Sequence, residues 1–168
     1  MNNPFLVPTA ELFRHRGTRS RVERHGPLPG VELSASRLAD GKDVSADLLV
    51  EAQGETVIVT GTVTAEWEGE CRRCLNTTGG ELSVDLQEVF VTDPVEGETY
   101  PLGRDHVDLA PALREALALA LPVAPLCADD CAGPDPEAHP VTVASDDEPA
   151  ERPADPRWAA LDGLDFDT

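Results

Sequence analysis

Between Val44 and Phe90 the chain alternates apolar and polar side chains with the two-residue period of half-buried β-strands. Residues 44–52, through Leu48, Leu49 and Val50, predict one strand, and Gln53-Gly54-Glu55 predicts a hairpin turn after it. Over residues 56–68, Val57, Val59, Val63, Ala65 and Trp67 share one face, and Thr60, Thr62, Thr64, Glu66 and Glu68 share the other. Residues 81–92 predict a further strand with Leu82, Val84, Leu86 and Phe90 on one face. Three long strands with one or two shorter ones predict a mainly antiparallel sheet. After a loop at 93–107 the period becomes helical. Leu109, Leu113, Ala116, Leu117 and Ala120 form an apolar stripe, Asp108 suits an N-cap, Pro111 fits the first turn, and Pro122 stops the helix. Such a stripe is what packing on a sheet requires. The expected fold class is α+β, a mainly antiparallel β-sheet packed by one long helix.

The ends of the chain lack this regularity. Residues 1–10 read as a loose lead-in, residues 11–25 as a basic strand or loop, and Gly26-Pro-Leu-Pro-Gly30 as a turn. Beyond residue 131, residues 132–154 are Gly, Pro, Asp, Glu and Ala with few large apolar side chains, which predicts a flexible acidic linker. Asp155-Pro156 then suits a helix start, and Trp158, Leu161 and Leu164 make residues 155–168 a short amphipathic helix and tail that docks on the domain or binds a partner. The expected organisation is a single domain over residues 1–131, a linker over 132–154, and that terminal element.

Charge divides the chain more sharply than its 168 residues and net charge of −19 suggest. Residues 1–42 hold seven basic and four acidic side chains, a net of +3, and residues 43–168 hold six and 28, a net of −22. The acidic part should repel bare nucleic acid and attract basic protein. The basic part is concentrated in Arg14, Arg16, Arg19, Arg21 and Arg24, a candidate phosphate-contacting arm without the interleaved aromatics that base stacking needs. The alternative is a solvated basic strand. Twelve of the 13 basic residues are Arg, and Ala, Pro and Asp are abundant, which suggests a bacterial genome rich in G and C. The N-terminus lacks the basic and apolar regions of a signal peptide, and no stretch approaches the ~18 apolar residues of a membrane span, so a cytoplasmic protein is expected with no membrane partner.

The strongest chemical signal is the spacing of the four cysteines: Cys71-Arg-Arg-Cys74, an intervening stretch of residues 75–126, then Cys127-Ala-Asp-Asp-Cys131. Two knuckles of two thiolates each can make a closed, tetrahedral zinc site of structural type, provided residues 75–126 return the chain to its start. Competing readings are two buried pairs of free thiols, a disulfide framework, and a catalytic dithiol at Cys71 and Cys74. Nothing points to the oxidising compartment that disulfides need. A redox CxxC is expected near a βαβ unit, whereas this one follows a hairpin pattern. Arg72 and Arg73 would lower thiol pKa values, which suits a ligand as well as a nucleophile.

Several stretches together carry a resemblance. They are GTRSRVERHGPLPG at 17–30, VIVTGTVTAEWEGECRRCL at 57–75, LSVDLQEVF at 82–90, ALPVAPLCADDC at 120–131 and DPRWAALDGL at 155–164. In this order the chain resembles the YceD family, the bacterial large-subunit ribosomal RNA accumulation proteins. The resemblance implies a non-enzymatic factor for normal accumulation of large-subunit rRNA, and a gene that commonly neighbours one for a large-subunit ribosomal protein. Many relatives continue the second knuckle with two more cysteines, where this chain has Asp135 and Ala138. A metal held by those later positions would be lost here; His139 is a candidate to replace one ligand, against the reading of a lone solvated His in an acidic loop. A metal held by Cys71, Cys74, Cys127 and Cys131 would be retained.

No Ser/His/Asp set, phosphate-binding Gly loop or His-rich metal cluster is found, so neither an enzyme nor a small-molecule substrate is expected. The leading expectation is a ribosome-biogenesis factor that binds large-subunit rRNA or a pre-ribosomal particle through the arginine arm with Arg72 and Arg73. The alternatives are an acidic binding module for a basic large-subunit ribosomal protein, and a CxxC thiol oxidoreductase.

Overall fold

A computed structural model describes residues 3–14 and 19–140, so Arg16 and the expected terminal helix lie outside the described residues. The alternating region forms the expected sheet. In chain order the elements are β1 (Leu6–Pro8), α1 (Ala10–Arg14), β2 (Arg19–Gly26), β3 (Ser36–Leu38), β4 (Val44–Gln53), β5 (Thr56–Glu70), β6 (Thr77–Val91), β7 (Tyr100–Pro101), β8 (His106–Asp108) and α2 (Ala110–Ala120). The main sheet runs β2-β4-β5-β6-β7, antiparallel except for β6–β7, and β3 pairs with the far end of β5. A second, two-stranded sheet pairs β1 with β8.

The β4–β5 register follows from the hairpin turn. Gln53 pairs with Thr56 across the two-residue loop Gly54-Glu55, and Gly54 takes the left-handed φ of 65° that such a loop needs at its first position. That register puts Val44, Ala46, Leu48 and Val50 on the same face as Val57, Val59 and Val63, all buried. Leu86 and Phe90 of β6 extend this face, and α2 lays Leu113 and Leu117 against it. Fully burying a side chain of this size contributes about 1.5–3 kcal/mol, so the inner face dominates the energetics of the fold. The opposite face carries the threonines and charges expected of it.

The structure corrects the sequence reading at three points. The lead-in is not loose: Phe5 and Val7 are buried in the core, β1 pairs with β8, and the short helix α1 buries Leu12. The long helix is 11 residues, ending at Ala120 before Pro122. Asp108 does accept the Ala110 N–H at 3.0 Å, but the helix boundary falls one residue later, at Leu109. Finally, β6 begins at Thr77, because Thr77-Thr78-Gly79-Gly80 pairs with Trp67–Glu70. Gly79 is there for close approach: a Cβ on it would lie 2.5 Å from the Trp67 carbonyl oxygen. The β5–β6 hairpin therefore runs unbroken to its tip, and that tip is the first cysteine knuckle.

Candidate metal centre

Residues 71–76 are the loop of the longest hairpin among the described residues, entered from Glu70 and left at Thr77, which face each other across the ladder. Within the loop, the Cys71 N–H donates to the Asn76 carbonyl and the Leu75 N–H to the Cys71 carbonyl, each at 2.9 Å. Leu75 takes the left-handed φ of 62° that closes the turn, an unusual conformation for a non-glycine residue. Cys71 and Cys74 are thereby aimed to one side of the hairpin tip.

The second knuckle is delivered by α2. Leu121 to Leu126 cross from the helix end to the hairpin, held where Ser36 Oγ donates to the Pro122 carbonyl at 2.8 Å and the Arg72 N–H to the Pro125 carbonyl at 2.9 Å. Arg73 then spans the two knuckles, with one guanidinium nitrogen donating to the carbonyls of Asp129 at 2.9 Å and Cys131 at 3.0 Å. The four cysteines converge. Cys71 Sγ lies 3.8 Å from Cys131 Sγ, Cys74 Sγ lies 3.7 Å from Cys127 Sγ, and all four sulfurs lie within 4.8 Å of one another. Cys71 is buried, Cys74 and Cys131 are half-buried, and Cys127 is exposed, so the two separate buried thiol pairs do not describe this site.

The thiols are not equivalent. Backbone N–H groups of Cys74 and then Cys127 directed at Cys71 draw its thiol down to about 6, against the desolvation that burial imposes. Cys127 is pushed up to about 12, first by hydrogen bonding with Cys131 and then with Cys74 and Cys71. Cys71 is thus the more acidic of the two thiols and Cys127 the less acidic. Metal binding here releases protons. The arrangement can hold a metal ion, with four protein sulfurs filling its coordination and no position left for substrate. Neither His139 nor Asp135 belongs to the cluster. Asp135 instead accepts N–H groups in its own turn, through its side chain from Ala138 at 3.1 Å and through its carbonyl from His139 at 2.9 Å.

The arginines expected to bind RNA are not gathered in one place. Arg19 and Arg21 stand exposed on β2, an edge strand, facing acidic residues of β4: Arg19 Nε lies 2.7 Å from Glu51 Oε2 and Arg21 Nε 2.9 Å from Asp47 Oδ1. These guanidinium groups hold both carboxyls below their ordinary range. Arg14 is exposed at the end of α1, whereas Arg24 turns to the Glu23 and Leu6 carbonyls. Arg72 and Arg73 sit at the hairpin tip. Arg19 is in register with Glu51 and Glu51 with Ile58, and from Ile58 to Glu70 the strand extends up to about 40 Å at about 3.3 Å per residue. The bracing role of Arg73 was missed because nothing local in CRRC indicates which carbonyls will return to it.

A mainly antiparallel sheet whose longest hairpin is closed by a four-cysteine centre defines a β-rich domain with a metal-ready clamp. The family model for the large ribosomal RNA subunit accumulation protein YceD matches residues 59–165, a span that includes both knuckles. Uncharacterized proteins of Mycobacterium tuberculosis and Mycobacterium bovis are each 37% identical over 95% of this chain and 80% of their own length. One of Mycobacterium leprae is 35% identical over 95% of this chain and 76% of its own. The chain belongs to the YceD family. No solved structure matches it.

Proposed function

We propose that the protein is a non-catalytic factor supporting accumulation of large-subunit rRNA, which binds rRNA or a pre-ribosomal particle, and that its four cysteines hold a structural zinc ion. The sulfur geometry carries the zinc assignment. A tetrahedral site with metal–sulfur distances of about 2.3 Å has sulfur–sulfur edges of about 3.8 Å, which the 3.7 Å and 3.8 Å contacts between the knuckles match. Zinc favours four thiolates in this geometry. A filled site would also leave neither Cys71 nor Cys74 free as a redox nucleophile, which counts against a thiol oxidoreductase.

For RNA, the supporting observation is that Arg19 and Arg21 stand exposed on an edge strand, β2. Ion pairs this exposed are weak, so Glu51 and Asp47 hold Arg19 and Arg21 in orientation yet can yield them to phosphate. A planar guanidinium then binds two phosphate oxygens at once. Arg72 at the far end of the sheet supplies a second contact. The test is a variant with Arg14, Arg16, Arg19 and Arg21 changed to Gln. We expect reduced co-sedimentation with large-subunit precursors and a shallower salt dependence of RNA binding, since that slope scales with the phosphates neutralised. Unchanged association would refute the arginine contacts.

A second reading, a module that holds a basic ribosomal protein, is favoured by one observation. Glu81, Asp85 and Glu88 of β6 make no ion pair among the described residues, whereas Arg19, Arg21, Arg37 and Lys42 are matched on β4 and β5.

A further inference from the structure

The main sheet ends on two edges of opposite charge character, β2 on one side and β6 with the short β7 on the other. On the β2 side the edge strand is eight residues long, Arg19 and Arg21 are matched across to Glu51 and Asp47 of β4, and His25 lies against Asp43 just before it. On the other side, β6 pairs with β5 from Thr77 to Phe90, but β7 covers it only at Phe90 and Val91. From Thr77 to Gln87, a span of roughly 33 Å, β6 has no strand partner on its outward side among the described residues. Open edges of this length are normally blunted by proline, charged side chains, bulges or a covering loop. Residues 77–89 contain no proline and no lysine, their ladder to β5 is regular, and the charges that guard the edge are all carboxylates, Glu81 and Asp85 outward and Glu88 on the inner face opposite Val59.

The side chains along this edge specify what fits it. On the inner face, Leu82 and Val84 pack on the core but remain half-buried, an apolar shoulder that a further strand would cover. On the outer face, Glu81 and Asp85 are exposed, and the loop after β6 adds Asp93, Glu96 and Glu98, also exposed. Nucleic acid is repelled by this line of carboxylates. A second copy of the chain is disfavoured as well, because edge-to-edge pairing of two β6 strands would set rows of carboxylates against each other. A strand with basic side chains outward and apolar side chains inward satisfies all three requirements: the backbone, the shoulder and the charge.

We infer that the β6 edge is a docking site for an extended basic segment of a partner protein, added as a further strand, with apolar residues over Leu82 and Val84 and Lys or Arg beside Glu81 and Asp85. This rests on the reading that the acidic part of the chain holds a basic protein, and it is independent of the RNA contacts. Backbone pairing supplies affinity, and the alternating side chains supply selectivity.

The probe is a synthetic peptide of alternating lysine and valine, compared with the same peptide N-methylated at every residue, both titrated into the full-length zinc-loaded protein. Binding is read by isotherm and by amide hydrogen exchange. The expected result is that the alternating peptide binds, slows exchange of every second amide between Thr78 and Gln87, and loses binding on N-methylation. E81K/D85K should weaken it by about tenfold or more, as two favourable cross-strand pairs become repulsive. Unchanged exchange at amides facing β5 would show that this variant stays folded. Equal binding of the methylated peptide would overturn strand addition while leaving the basic-partner reading in place. No binding of either peptide would overturn both. Outward-facing β6 amides already protected in the free full-length chain would overturn the proposal, because the edge would then be occupied by the chain itself.

Discussion

Replacing Arg73 with Gln separates the two roles open to the CRRC arginines. Arg73 donates from one nitrogen to two carbonyls of the second knuckle, at 2.9 Å and 3.0 Å, while Arg72 engages Pro125 only through its backbone N–H. A hydrogen bond from a charged donor is worth about 1.5–3 kcal/mol when sheltered from water. Both contacts lie at the surface, where screening and side-chain entropy reduce that value, so about 1–2 kcal/mol is expected for the two together. If the second knuckle is held less firmly before metal binds, that loss appears as weaker affinity, by about 5- to 30-fold. Arg72→Gln removes an equal charge without touching the knuckle and should leave metal affinity within about twofold. The assay is zinc competition against a chromophoric chelator at fixed pH and salt, with far-UV circular dichroism to confirm that both variants retain the sheet. Equal losses in the two variants would mean that local charge, rather than the Arg73 brace, sets affinity. No loss in Arg73→Gln would mean that the knuckles are aligned by the metal alone.

Three further outcomes follow from the same geometry. Cys131→Ser should abolish tight zinc binding and lower the thermal midpoint, yet leave the far-UV spectrum of the sheet largely intact, because the core cluster from Val44 to Phe90 packs without the metal; global unfolding on chelation would contradict this. Leu113→Ala, at a fully buried position of α2, should cost about 2–5 kcal/mol in denaturant unfolding, and a loss below about 1 kcal/mol would mean that the helix is not seated as described. Glu88 has its carboxyl raised by burial and then by Glu115, so the folded state holds this proton more tightly than the unfolded chain does. Its ionisation therefore opposes folding once pH rises above the unfolded value. Glu88→Gln should accordingly raise the melting temperature near pH 7, with the gain vanishing near pH 4, and a pH-independent effect would sink that assignment.

The sheet was legible because its signal is local. Val57, Val59, Val63 and Ala65 alternate with threonines, and a two-residue period is reported by a strand's own side chains whatever its neighbours do. The cysteine spacing likewise announced two knuckles and the demand that the chain return between them. What the local pattern could not contain is partnership. Thr77-Thr78-Gly79-Gly80 lies outside the strand predicted over residues 81–92, and only the ladder to Trp67–Glu70 makes it strand. Phe5 and Val7 looked like a loose end until β8 supplied a partner for β1. The arginines of β2 looked like a free arm until β4 placed Glu51 and Asp47 beside two of them. Sequence determined which residues face inward and which atoms can bind a metal, since both depend on residue type and short-range spacing. Tertiary structure decided which charges are already matched, which strands pair and which arginine braces the knuckles, because each depends on groups distant in the chain.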